Sequence, residues 1–264
     1  MPNRIDIMFR EASASGRTVL APFVTIGFPD VDTSVSIAEA LLSSGGDLLE
    51  LGVPFSDPLA DGATVQKASF HALRQGVTVH TCLDVVRRLR GRGVDDPLLL
   101  MGYFNPFLRY GPAKLARDAA ETGVDGLIVP DLPPEEAGPF MRECDRNGLF
   151  LIPLVAPTST DKRIAQACKR AKGFIYCVSL MGVTGARGEL REGVSKLVGR
   201  IRRHTDLPVL VGFGVSKREH VLEIARYADG AVFASAMLDA IDRAPRDRAV
   251  STAREFVRGL QVPK

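Results

Sequence analysis

Short, continuously apolar runs alternate with amphipathic stretches along the whole chain. The runs at 19–26, 47–51, 98–101, 126–129, 150–154, 174–178, 209–212 and 230–233 read as eight strands. They lack in/out alternation, which is what strands buried on both faces of a parallel sheet require. The stretches between them carry helix punctuation. Asp32-Thr33 opens a segment with Val35, Ala38, Leu41 and Leu42 on one face, and Gly45 closes it. Pro133-Pro134-Glu135-Glu136 reads as a first turn whose helix ends at Asn147-Gly148, and Thr160-Asp161 starts another over Ile164, Ala167, Cys168 and Ala171.

Strand and helix recur with a period of roughly 25 to 45 residues, as βα units do. Eight such units in 264 residues favour a closed (β/α)8 barrel, class α/β, over an open doubly wound sheet. The first strand is not followed by Gly-x-Gly-x-x-Gly. Residues 1–14 place Ile5, Met8 and Phe9 at helical spacing, so an extra N-terminal helix is expected to cover the amino-terminal end of the barrel. No linker or composition shift divides the chain, and a single barrel domain over 1–264 is expected.

Composition narrows the function classes. The net charge of +3, from 34 basic against 31 acidic residues, is small and dispersed, which argues against nucleic acid. Arg87-Arg88, Arg90, Arg92 and Arg202-Arg203 fall near predicted helix ends, where cations complement the dipole. Cys82, Cys144, Cys168 and Cys177 form no C-x-x-C pair, so neither a metal site nor a disulfide framework is expected. His71, His80, His204 and His220 lack ligand spacing. The charged N-terminus and the lack of a long apolar run lead to the expectation of a soluble, cytoplasmic protein with no membrane contact.

Candidate chemistry concentrates where strands end. Glu50 closes the second apolar run and Asp61 lies on the loop beyond it. In a parallel α/β fold the carboxyl ends of strands open onto the active face, so this pair is a candidate acid–base couple. The competing readings are a structural carboxylate at Glu50 and an N-cap for a helix over 63–75 at Asp61. Gly182, Gly185 and Gly188 in the loop after strand six suit mobility and close approach to an anion. Gly212, Phe213 and Gly214 end strand seven ahead of a helix start at Val215-Ser216, and Ala234-Ser235-Ala236 follow strand eight. Backbone N–H groups there, with the Ser235 hydroxyl, would hold a phosphate. Tyr176, inside a strand, faces either the barrel interior or the helices, and a core tyrosine is the ordinary reading.

With these residues in view, the run Leu49-Glu-Leu-Gly-Val-Pro-Phe-Ser-Asp-Pro-Leu-Ala-Asp-Gly62 with Gln66 closely resembles the signature of the tryptophan synthase alpha subunit family. Pro22-Phe-Val-Thr25, Tyr103 with Asn105-Pro106, Val129-Pro-Asp-Leu-Pro133, Gly182-Val-Thr-Gly185, Gly212-Phe-Gly214 and Ser235-Ala236 match in the family's order. The resemblance implies a (β/α)8 barrel cleaving indole-3-glycerol phosphate to indole and glyceraldehyde 3-phosphate. It implies no cofactor or metal in this chain. A pyridoxal-phosphate-dependent beta subunit would receive the indole and activate this chain within an alpha2beta2 complex.

By the same resemblance, Glu50 is the catalytic glutamate and Asp61 the catalytic aspartate. Phe23 and Tyr103 line the indole pocket, and Tyr176 stands beside the substrate. Thr184 and Gly185 belong to a loop that closes over it, with Thr184 contacting Asp61. Gly212, Phe213, Gly214, Ala234 and Ser235 bind substrate at the phosphate end. Pro54, Asp57, Pro58, Asn105 and Asp131 face the beta subunit. Three positions depart from the family pattern: Ala63 where proline is common, Ala234 where glycine is usual, and Leu180-Met181 in a segment commonly more polar. A free-standing lyase and a non-catalytic activator of a beta subunit are the alternatives. The carboxylate pair argues against the second.

Overall fold

A computed structural model describes residues 2–178, 187–212 and 214–262. Helix α1 (Arg4–Ala14) leads into β1 (Val19–Thr25), α2 (Val31–Leu42), β2 (Leu49–Gly52), α3 (Ala63–Arg74), α4 (Val79–Gly91) and β3 (Leu98–Met101). Then come α5 (Phe104–Tyr110), α6 (Pro112–Thr122), β4 (Gly126–Ile128), α7 (Gly138–Arg146), β5 (Phe150–Ile152), β6 (Leu154–Val155), α8 (Asp161–Arg170) and β7 (Ile175–Val178). The chain continues through α9 (Arg187–Arg202), β8 (Val209–Gly212), α10 (Arg218–Ile224), β9 (Gly230–Phe233) and α11 (Ser235–Arg243), and ends in a 3-10 turn and α12 (Ala249–Leu260).

All strand pairs are parallel, in the order β5-β4-β3-β2-β1-β9-β8-β7-β6. The two ends of that order, β5 and β6, are consecutive pieces of one expected strand, 150–154. Pro153 separates them because proline has no N–H for the ladder. Its carbonyl still accepts from the Tyr176 N–H at 3.0 Å, so the sheet closes through this residue. The eight-stranded (β/α) barrel expected from the sequence is the fold.

Side chains of alternate strand residues divide between two cores. One, between sheet and helices, holds Val24, Leu49, Leu51, Leu98, Leu100 and Val211 among others. The other fills the barrel with Val19, Ala21, Leu48, Leu99, Ile128, Ile152, Phe174, Tyr176, Leu210 and Val232. Helix α1 plugs the amino-terminal end of that interior with Ile5, Met8, Phe9 and Ala12, Phe9 meeting Phe174 at 5.6 Å between ring centroids. The plug expected from residues 1–14 is present.

Some helix starts differ from expectation. Asp30, not Asp32, caps α2, accepting from the Thr33 N–H at 2.8 Å. Residues 133–136 form a turn ahead of α7, closed by N–H groups of Glu136 and Ala137 on the Pro133 carbonyl. The helix begins only at Gly138-Pro139, where proline suits the first turn. Val215-Ser216 likewise precede α10, whose cap is Lys217. Among the described residues no helix is long and apolar enough to cross a membrane.

Candidate active site

Glu50 shares the parity of Leu48 on β2, so its side chain turns into the barrel, level with Phe23 on β1 and Leu99 on β3. It is fully buried, and neither carboxylate oxygen has a hydrogen-bond partner among the described residues. Burial raises its pKa well above the ordinary carboxylate range. The nearby Tyr176 hydroxyl opposes that rise.

Among the described residues Asp125 is the other buried acid, and it is differently placed. Asp125, at the opposite end, accepts from the Leu98 N–H at 2.8 Å, Arg90 at 2.7 Å and Arg4 at 3.1 Å. That is how a structural carboxylate is accommodated. Glu50 has no such partners, and the neighbouring Thr25 hydroxyl, also buried, has none among the described residues either. Hydrogen-bonding capacity left unspent at the carboxyl end of a barrel is the mark of a site rather than of a core.

Asp61 is half-buried on the loop that joins β2 to α3. Its surroundings raise its pKa to about 6, burial being the cause and the Tyr103 hydroxyl a partial offset. Asp61 does not cap α3: the cap residue is Gly62, and no side chain accepts from the first turn. The N-cap alternative therefore falls.

Several contacts shape the loop. The Tyr103 hydroxyl accepts from the Ala60 N–H at 2.8 Å, Gln66 donates to the Asp61 carbonyl at 2.9 Å, and Ser69 exchanges hydrogen bonds with both backbone groups of Phe55 at 2.8 and 3.0 Å. Ala63 stands at the first helical position, where proline is tolerated but not needed, and these contacts supply restraint that a proline would add.

Phe23, Thr25, Asp61, Met101 and Tyr103 surround a cavity of about 20 Å³ at the mouth of the barrel, room for a single water. A bound aromatic ring has to displace part of this lining. Two glycines keep the mouth open at the backbone level. A Cβ on Gly52 would stand 2.4 Å from the Phe23 ring, and one on Gly212 would stand 3.0 Å from Tyr176. Tyr176 faces the interior, and its acidity is suppressed by burial first and then by the nearby Glu50 and Asp61 carboxylates. Glu50, Asp61 and Tyr176 thus converge. A larger cavity, about 830 Å³, opens between α3 and α11 on the outside. Its wall includes Phe70, Arg74 and Arg246 but no buried carboxylate, so it lacks the chemistry of the mouth.

Across the mouth, β8 and β9 pair with Gly212 beside Val232, and Gly214 and Ser235 lie exposed just beyond their ends. Gly214 takes φ +38°, a conformation that favours glycine. Ser235 is the first residue of α11, whose opening N–H groups have no side-chain cap. Ala234 has φ −139°, so no left-handed backbone demands glycine there. The Ser216 N–H donates to His220 Nδ1 at 3.2 Å, so one amide of the expected phosphate cradle is already engaged. Thr184, Gly185, Phe213 and Leu180-Met181 lie outside the described residues.

The residues expected to face a partner divide. Asp57, Asn105 and Asp131 are exposed, while Pro54 and Pro58, on the Asp61 loop, are buried. Asp131 also accepts from the Phe104 N–H at 2.8 Å, tying down the start of α5. Leu59, 92% exposed in the Asp61 loop, and Leu108, 55% exposed on α5, join the exposed residues of this face. Apolar residues inside a loop and on a helix give no signal of exposure until the fold is known. The motif Pro22-Phe-Val-Thr25 contains Thr25, and its spacing of two from Phe23 is the signal that it shares the interior face.

Residues 9–261 match the family model described as tryptophan synthase alpha chain. The tryptophan synthase alpha chain of Roseiflexus sp. (strain RS-1) is 52% identical over 259 residues, covering 98% of this chain and 99% of that one. That of Chloroflexus aggregans is 47% identical, covering 98% and 97%. A tryptophan synthase of Saccharomyces cerevisiae is 41% identical over 98% of this chain, which corresponds to 37% of the yeast protein. Among solved structures, tryptophan synthase subunit alpha from Legionella pneumophila superposes with a TM-score of 0.91 at 33% identity, covering 98% and 97%. A ligand-free tryptophan synthase from M. tuberculosis gives 0.88 at 36%, with the same coverage.

Proposed function

The chain belongs to the tryptophan synthase alpha chain family, and on that premise we propose that Glu50 and Asp61 are the acid–base couple with which it cleaves indole-3-glycerol phosphate to indole and glyceraldehyde 3-phosphate. The observation that carries the assignment is Glu50: fully buried, without a partner among the described residues, at the carboxyl end of a barrel strand.

The carbon–carbon bond breaks only if the electrons it releases have somewhere to go. Protonation of indole C3 turns the ring into an electron-accepting indolenine. Glu50, held protonated by burial, donates that proton. It then takes the proton of the hydroxyl beside the breaking bond, as the bond electrons return to the ring and an aldehyde forms. Glu50 ends as it began. Asp61, ionised above about pH 6, accepts the indole N–H and stabilises the positive charge that grows there. The cycle moves protons only between substrate and side chains and draws on no cofactor.

Phe23 and Tyr103 bracket the ring. Gly212, Gly214, Ala234 and Ser235 hold the phosphate with backbone N–H groups and a hydroxyl. Tyr176 lies between the two groups of residues, beside Glu50.

The family works with a beta subunit. We infer an alpha2beta2 assembly in which Asp57, Leu59, Asn105, Leu108 and Asp131 meet the partner. Leu59 sits two residues before Asp61 in the same loop, so a partner that covers it biases the position of Asp61. Pyridoxal phosphate belongs to the partner in this reading. Indole release from indole-3-glycerol phosphate, measured with and without the cognate beta subunit, tests it. Slow release that rises severalfold or more with partner is expected. Fast release indifferent to partner would identify a free-standing lyase, and no release in either condition would sink the catalytic assignment.

A further inference from the structure

Helix α3 begins two residues after Asp61, and helix α11 begins at Ser235 on the other side of the mouth. The Thr64 hydroxyl on the first turn of α3 donates to Asp239 Oδ1, one turn into α11, at 2.9 Å. The two residues are 175 positions apart. We propose that the Thr64–Asp239 hydrogen bond is a positioning contact: it sets Asp61 from the helix that seats the phosphate, so that phosphate binding and placement of the carboxylate are one event.

Among the hydrogen bonds of α3, this is the half-buried one that ties its first turn to α11, beside Val65, which packs that turn into the core. The C-terminal end of α3 is fastened to the loop after β1, where Gln75 donates to the Gly27 carbonyl at 2.8 Å and His71 Nε2 meets the Pro29 carbonyl at 2.8 Å. Its first turn has no side-chain cap. Gln66 and Ser69 bind the Asp61 loop itself, so they carry the loop along with the helix and do not fix either one to the barrel. Tyr103 holds Ala60 from the indole side. On the phosphate side the first turn is tied by Thr64–Asp239, half-buried, and by Lys67–Asp242 at 2.5 Å one turn later. The Lys67 pair is solvent-exposed, with side chains 66% and 34% accessible, and exposed pairs contribute little. The hydroxyl–carboxylate bond is the one with directional force.

Removing it should free the first turn of α3 while leaving the rest of the helix anchored, so the variant keeps its fold. The inference rests on the assignment of Asp61 and of the phosphate end made above. It is tested by steady-state kinetics on indole-3-glycerol phosphate in the complex with the beta subunit, for Thr64→Val, Thr64→Ser, Asp239→Ala and the double variant Thr64→Val/Asp239→Ala, with Asp61→Asn as control.

Thr64→Val is expected to lower kcat about three- to tenfold, with KM changed less than about twofold. The acid limb of the kcat/KM profile should move below about pH 6 as Asp61 becomes more hydrated. Thr64→Ser keeps the hydroxyl and should stay within about twofold of the parent, while the double variant should be no worse than either single one. Thr64→Val with the parent's kcat and acid limb, alongside an inactive Asp61→Asn, would overturn the coupling and leave the catalytic assignment standing. So would additive losses in the double variant. An Asp61→Asn enzyme that retains full activity would instead remove the assignment on which the inference rests.

Discussion

At the scale of single residues, the two buried acids of the barrel separate chemistry from architecture. Asp125 is paired on every side and Glu50 on none among the described residues. The cost of holding Asp61 in its half-buried place should show in the stability of the fold. Its folded pKa of about 6 lies above the ordinary 3.8, so the native state favours the protonated form. Relative stability is therefore fully present below about pH 4 and is lost as pH rises through 6. Asp61→Asn removes that loss: it is expected to stabilise the fold by about 3 kcal/mol at pH 8 and by less than about 1 kcal/mol at pH 4, as denaturant titrations at the two pH values would show. An equal effect at both would mean that ionisation is not the cause.

Glu50 and Asp61 were legible in the sequence because one ends an apolar strand and the other follows on its loop. Their protonation was not, since it depends on burial that only the closed barrel creates. Alanine at position 234, where the family usually has glycine, meets no backbone conflict, because its φ of −139° lies outside the left-handed region.

At the scale of elements, strands were read well because parallel strands buried on both faces are continuous apolar runs. Helix starts were read less well. The choice of Asp30 over Asp32, or of Gly138 over Pro133, turns on which side chain or backbone group meets the first turn. The break at Pro153 was visible as a proline inside an apolar run, but its place as the closure point of the sheet was not. The N-terminal helix was legible from three apolar residues at helical spacing, and its contribution is measurable. Phe9 is 6% exposed and packs on Phe174. Phe9→Ala should cost about 3 kcal/mol of stability while leaving kcat of the folded enzyme unchanged, since it plugs the end of the barrel away from Glu50. A large fall in kcat without loss of stability would contradict that separation.

At the scale of the whole molecule, an arc of adjacent strands, β2, β1, β9, β8 and β7, carries the residues of the proposed site. Each supplies a part: Glu50 from β2, Phe23 from β1, Ser235 after β9, Gly212 from β8 and Tyr176 from β7. Links such as Thr64–Asp239 join parts far apart in the chain and have no signature in sequence. The outward face carries Leu59 and Leu108 exposed in the isolated chain. Leu59→Lys should leave the thermal midpoint within about 2 °C of the parent, as surface changes do, yet sharply reduce activation by the beta subunit. Undiminished activation would place the partner elsewhere.

The most direct test of the account is kcat for indole-3-glycerol phosphate cleavage by Glu50→Gln in complex with the beta subunit, followed across pH beside the parent. Loss of a positioned acid predicts a fall of about 10²–10⁴-fold with the fold and the partner complex intact. In kcat/KM, which reports the free enzyme, the parent should show an acid limb near pH 6, set by Asp61. A Glu50→Gln enzyme that turns over at the parent's rate would contradict the assignment of the reaction to this carboxylate.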